Sequence, residues 1–168
     1  MPPEAKRRFG VFLMDIGDLL AKDGIVLRGG ASSKRQALHV VAEAAALTLG
    51  VPEAQVLDAL MEREALGSTG LGSGVAVPHA RIPGLSQVVA VFVRLDTPVA
   101  YGSVDDRPVD LMLALFAPPR DGAAHLRALA AVSRAMRSPE LREQLRQART
   151  PDAVRALFVR DQQPATAA

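Results

Sequence analysis

Hydrophobic and polar positions change their spacing several times along the chain, and each change marks an element. From residue 33 the period is helical: Leu38, Val41, Ala42, Ala45 and Leu49 fall on one face. Ser33 reads as the N-cap, Gln36 holds the reciprocal capping-box position, and Gly50 supplies the C-cap. Pro52 reads as the first residue of a second helix, where a missing N–H costs nothing. Val56, Leu57, Leu60 and Met61 make its apolar stripe, which reaches about Glu64. Continuous apolar runs over Val88 to Leu95 and Leu111 to Phe116 are too short for helices and predict buried strands. Ile25 to Arg28, stopped by Gly29-Gly30, predicts a shorter one. The pairs Ser138-Pro139 and Thr150-Pro151 predict two helix starts, after a helix over about Gly122 to Met136.

Two stretches break the pattern. From Leu66 to Leu85, Gly67, Gly70, Gly72, Gly74 and Gly84, with Pro78 and Pro83, exclude a helix, while Val75 and Val77 allow a short strand. Asp96 to Pro108 reads as a connecting loop. Helices interleaved with buried strands predict an α/β fold: a three-layer α/β/α sandwich with a mixed central sheet flanked by helices. The 168 residues suit one domain, placed at 16–160, with a loose lead-in over 1–15 and a frayed tail over 161–168.

Composition narrows the chemistry. Cysteine is absent, which removes thiolate zinc sites, iron–sulfur clusters and a cysteine nucleophile. The three histidines, His39, His79 and His125, are too few for a histidine-rich metal site; neither metal nor cofactor is expected. His39 sits beside the apolar stripe of its helix and reads as a partly exposed residue without function. Lys6, Arg7, Arg8 and the apolar run to Met14 imitate a secretory signal, but Asp15 and Asp18 interrupt it. No charge-free run of about 18 apolar residues exists, so no membrane insertion is expected and the chain reads as cytoplasmic. The net charge is +2, yet residues 120–160 hold nine arginines against Asp121, Glu140, Glu143 and Asp152. That basic third suits an acidic or phosphate-bearing partner, or simply a solvated surface. Six aromatics and no nucleic-acid motif argue against a nucleic-acid partner.

The glycine-rich stretch carries the strongest chemical signal. No lysine follows its glycines, so it is not a P-loop, and Gly70-x-Gly72-x-Gly74 lacks the dinucleotide spacing. Glycines let backbone N–H groups approach an anion closely, or they serve a tight turn. His79 follows, behind Pro78. A histidine beside a donor-rich loop can attack phosphorus or act as a base near a bound anion. His125 opens a predicted helix, where it either caps locally or faces an anion.

The string Gly67-Ser68-Thr69-Gly70-Leu71-Gly72-Ser73-Gly74-Val75-Ala76-Val77-Pro78-His79 resembles the signature of enzyme IIA of the bacterial phosphotransferase system, of the fructose, mannitol and nitrogen type. So do Arg63, Leu95-Asp96-Thr97-Pro98-Val99-Ala100, Asp105, Arg107-Pro108-Val109-Asp110-Leu111, and Ala124-His125-Leu126 through Leu129. The likeness spans about Ile16 to Phe158. It implies a phosphocarrier in which His79 accepts a phosphoryl group from a phosphohistidine on an HPr-like protein. By the same likeness, Arg63 and His125 belong to the catalytic set, and Ser68, Thr69, Gly70, Gly72 and Gly74 are phosphate-binding candidates. An HPr-like carrier must reach His79, which makes Leu71 and Arg81 partner-binding candidates; Leu71 and Leu85 either dock or pack.

A free-standing chain without cysteine or a IIB-like segment is similar to the nitrogen-regulatory type. That type implies control of targets such as sensor kinases or potassium-handling proteins. A sugar-specific IIA that passes phosphate to a separate IIB, and a binding module that is never phosphorylated, are the alternatives.

Overall fold

The computed structural model describes residues 15–161. Of the expected lead-in over 1–15, residues 1–14 lie outside the described residues, as do residues 162–168 of the expected tail over 161–168. Helix α1 (Ile16–Leu19) is opened by Asp15, whose carboxylate accepts from Gly17 N at 2.8 Å. Strand β1 (Leu20–Gly29) follows, then α2 (Lys34–Leu49) and α3 (Glu53–Ala65). Three short strands come next: β2 (Gly70–Gly72), β3 (Val75–Ala76) and β4 (His79–Arg81). The two long strands β5 (Val89–Val99) and β6 (Val109–Ala117) precede α4 (Gly122–Ala135), α5 (Pro139–Gln147) and α6 (Pro151–Asp161).

The sheet order is β1-β5-β6-β3-β2, and β4 continues beside β6 past the end of β3. β1 runs parallel to β5, β5 antiparallel to β6, and both β3 and β4 parallel to β6, so the sheet is mixed as expected. The two-residue period of the central strands divides the core. Phe92, Leu113 and Leu115 face α1, α4, α5 and α6; Val91, Val93, Met112 and Phe116 face α2 and α3. Both faces are covered, which is why β5 and β6 read as unbroken apolar runs rather than alternating ones.

Arginines tie the first of these layers down. Arg94, on β5, donates to the carbonyls of Leu27, Leu145, Arg146 and Ala148. Arg155 donates to Leu20 O and Ala21 O. Part of the basic C-terminal third is therefore mortar between elements rather than free surface.

Several boundaries differ from the sequence reading, among them that of β6, which starts two residues early at Val109. β1 starts at Leu20, five residues early, because it is the sheet edge and carries Lys22, Asp23 and Gly24 where one side needs no apolar cover. β5 continues through the exposed Asp96-Thr97-Pro98 to Val99, past a register shift against β6, so the loop begins only at residue 100. Residues 66–85, expected to hold one short strand, hold three. Pro52 is the N-cap of α3 rather than its first residue; its carbonyl accepts from Gln55 N and Val56 N. The caps Ser33, Gly50 (φ +66), Ser138 and Thr150 stand where the sequence places them.

Candidate functional site

His79 opens β4 at the sheet edge nearest the end of α3. Its two ring nitrogens have different partners. Nδ1 lies 2.9 Å from the Val77 carbonyl, which can only accept. Nε2 lies 3.1 Å from Arg63 Nε, which can only donate. The pair fixes the neutral tautomer with the proton on Nδ1 and the lone pair on Nε2. Burial lowers the pKa of His79; the Val77 carbonyl opposes this, and the Arg63 charge adds to the lowering. Arg63 is itself steadied by a 2.8 Å bond from Nη1 to the Gly67 carbonyl.

His125 stands 5.4 Å from His79, ring centre to ring centre, with the planes near edge-on. It is 8% exposed, and its Nδ1 is buried without a hydrogen-bond partner. It does not cap α4: Asp121 does, accepting from Ala124 N at 3.0 Å. Burial lowers its pKa, with the neighbouring His79 and Arg81 adding to the effect. Arg81, two residues beyond His79 on the same side of β4, donates to Pro119 O at 3.1 Å. Together Glu62, Arg63, Leu66, His79, Arg81 and His125 line an open cleft of about 430 Å³. Two neutral imidazoles and two guanidiniums around one lone pair suit an anionic group that arrives at Nε2.

The glycine loop is built for something else, and none of Ser68, Thr69, Gly70, Gly72 or Gly74 lines this cleft. β2 and β3 form a hairpin whose turn runs through Gly72, Ser73 and Gly74 at φ +92, +57 and +81. Gly70 lies against Ser103, where a Cβ would come within 2.2 Å of the hydroxyl. Ser68 Oγ accepts from Gly70 N and donates to Tyr101 O. Thr69 is buried, and its hydroxyl donates to Glu64 Oε2 at 2.7 Å. Leu71 lines a separate cleft with Ser73, Met136 and Arg142, and Leu85 packs on the core layer under α2 and α3.

The sequence reading did not single out two exposed leucines. Leu66 lines the cleft at 85% exposure, and Leu126, next to His125, is 67% exposed. It also missed Glu64, buried at the end of α3. The spacing Val56, Leu60, Glu64 places that carboxylate on the buried face, a signal available from the sequence. His39 pairs with Glu53 and with Glu43 (3.8 Å), the one group among the described residues whose donors lie close enough together for a metal ion. All three are partly exposed and none of them lines the cleft. No helix among the described residues is long and apolar enough to cross a membrane.

Residues 18–160 match the family described as phosphoenolpyruvate-dependent sugar phosphotransferase system, EIIA 2. A nitrogen regulatory protein of Bradyrhizobium diazoefficiens is 41% identical over 155 residues, 92% of this chain and 100% of that one. The crystal structure of nitrogen regulatory protein IIA-Ntr from Neisseria meningitidis superposes with a TM-score of 0.80 at 33% identity, covering 85% of this chain and 98% of that one. The enzyme IIA of the Escherichia coli mannitol system, solved in complex with phosphorylated enzyme IIB, shares the fold at a TM-score of 0.68 and 22% identity, covering 83% of this chain and 98% of that one. The chain belongs to the EIIA type 2 family of the phosphoenolpyruvate-dependent sugar phosphotransferase system.

Proposed function

We propose that this protein is a regulatory phosphocarrier that takes a phosphoryl group onto His79 Nε2 from a phosphohistidine on an HPr-like protein. The observation that carries the reading is the state of His79: a neutral ring whose lone pair, on Nε2, accepts from Arg63 in a cleft with Arg81 and with His125, whose Nδ1 has no hydrogen-bond partner. In the transfer, the N–P bond of the donor breaks as a bond from Nε2 to phosphorus forms. The donor imidazole recovers the electron pair, and Nδ1 keeps its proton on the Val77 carbonyl. Charge in such a transition state is spread over three equatorial oxygens, so positioned cations and N–H donors do the work and no base is required. Arg63 leaves Nε2 for a phosphoryl oxygen, His125 supplies a neutral donor, and Arg81 adds a second positive charge.

The likeness to nitrogen regulatory proteins supports a regulatory rather than a metabolic output. A phosphoryl group adds about −1.5 to −2 charge, here in the cleft that the exposed Leu66 lines. A target that reads the surface around this cleft would distinguish the two states by charge. The protein should gain the mass of one phosphoryl group when incubated with phosphoenolpyruvate, enzyme I and the HPr-like carrier. The label should be labile in acid and stable in base, and absent from His79→Ala. A His79→Ala protein labelled at the wild-type rate would end this reading. Rapid onward transfer to an added IIB protein would instead mark a sugar-specific component, the role that the mannitol complex illustrates.

A further inference from the structure

Glu64 is one of four polar or charged residues buried among the described ones, and the transfer chemistry above does not use it. A buried carboxylate is costly unless every oxygen finds a partner. Here both do. Oε1 accepts from Lys34 Nζ at 2.8 Å and from Thr69 N at 2.7 Å; Oε2 accepts from the Thr69 hydroxyl at 2.7 Å. Thr69 Oγ1 spends its proton on Glu64, so Tyr101 OH, 3.0 Å away, must donate to it. Lys34 also stands 4.4 Å from the centre of the Tyr101 ring. An apolar contact would hold α3 to the sheet at less cost. The residues that the clamp reaches suggest what it is for.

Thr69 is held by both its N–H and its hydroxyl, and its carbonyl accepts from Val77 N at 2.9 Å. The carbonyl of that same Val77 is the acceptor that keeps the proton on His79 Nδ1. The turn between Glu64 and Thr69 contains Gly67, whose N–H donates to Glu64 O and whose carbonyl holds Arg63. One clamp thus sets the anchors of both groups that define the Nε2 lone pair. We propose that Glu64, acting through Thr69, is a positioning residue for phosphoryl transfer: it fixes the tautomer of His79 and the seat of Arg63. The proposal rests on His79 being the phosphoryl acceptor. It also gives Thr69 a use other than contact with the phosphate.

Thr69→Val is the first test, because it removes the hydroxyl and leaves the charge on Glu64 unchanged. Its limiting transfer rate should fall about 10- to 100-fold, the scale on which small misplacements act. The half-saturating carrier concentration should change less than twofold, and the label should stay on His79. Nitrogen-15 NMR of the unphosphorylated protein should show a mixed His79 tautomer in place of the Nδ1–H form. Thr69→Ser should restore both readouts to within twofold. Glu64→Gln, which keeps one acceptor oxygen and the side-chain shape, should give the same two changes and stands in if Thr69→Val does not fold. A folded variant with a wild-type tautomer overturns the proposal, whatever its rate; so does a rate loss that appears wholly in carrier affinity. If the wild-type protein takes no label on His79, the phosphocarrier reading fails, while the NMR comparison still decides whether the clamp sets the tautomer.

Discussion

The glycine hairpin at 67–76 and the histidine cleft at its far end solve opposite problems with opposite materials. The hairpin is made of residues with little or no side chain, and its glycines serve turns and close packing: Gly72 and Gly74 at positive φ, Gly70 against Ser103. The cleft is made of long side chains from three elements: Arg63 at the end of α3, His79 and Arg81 on β4, and His125 in the first turn of α4. A glycine-rich stretch before a histidine invites the idea of a backbone cradle for phosphate. In this chain the glycines shape the hairpin, and the side chains that surround His79 Nε2 come from elsewhere. If that division is right, changes in the cleft alter rate, and changes at the hairpin's glycines alter stability.

The largest effect should come from the cleft. Arg63→Ala removes a charged donor that touches Nε2, and loss of one preorganised donor costs about 10²–10³ in rate. His125→Ala should cost less, about 10-fold, because a neutral ring at 5.4 Å is one donor among several. Neither change should move the label from His79. Single-turnover transfer from the phosphorylated carrier measures both. An unchanged rate in His125→Ala would leave that residue a buried ring with no part in the transfer.

The hairpin should respond in the other currency. Gly70→Ala drives a methyl group into Ser103, and overpacking of this kind costs about 1–3 kcal/mol. For a domain of this size that corresponds to a fall of about 2–12 °C in Tm. The transfer rate per folded molecule should stay within about twofold, since Gly70 lies outside the cleft. Ser103→Ala in the same chain should recover part of the loss, because the hydroxyl is the nearest atom. A rate loss that exceeds the stability loss would return Gly70 to the phosphate site.

How legible each region was follows from the kind of signal it leaves. The helices α2, α5 and α6 announce themselves through Ser33, Ser138 and Thr150, whose cap bonds are local and need no tertiary information. The polar ends of β1 and β5 do not, because an edge strand and a strand running past a register shift need no apolar alternation. The structure brings His79, Arg63 and His125, which the long signature names, into one cleft. The donor role given to Thr69 was not resolvable, because a threonine that binds a phosphate and one that binds a buried carboxylate look the same in sequence. Only the position of Glu64, one helical turn past Leu60 on the buried face, carries the difference.

The smallest expected effect is a pH dependence that belongs to the cleft alone. Both histidines are harder to protonate in the folded protein than in the unfolded chain, chiefly because burial disfavours the charged form. The unfolded state therefore binds more protons as pH falls through the ordinary histidine value near 6.5, and stability rises with pH in that window. The contribution is fully present above about pH 6.5 and is lost as pH drops through the lowered folded values. Comparison of Tm at pH 7.5 and pH 5.5 should show a fall in the wild-type protein that is smaller in a His79→Gln, His125→Gln double variant, while Gly70→Ala lowers both temperatures alike. The same lowering keeps the His79 lone pair available below pH 6.5. Arg63→Ala, which removes a charge that depresses His79, should then shift the acid limb of the transfer rate to higher pH. An acid limb that stays in place would mean that Arg63 acts on the phosphoryl group and not on the state of the ring that receives it.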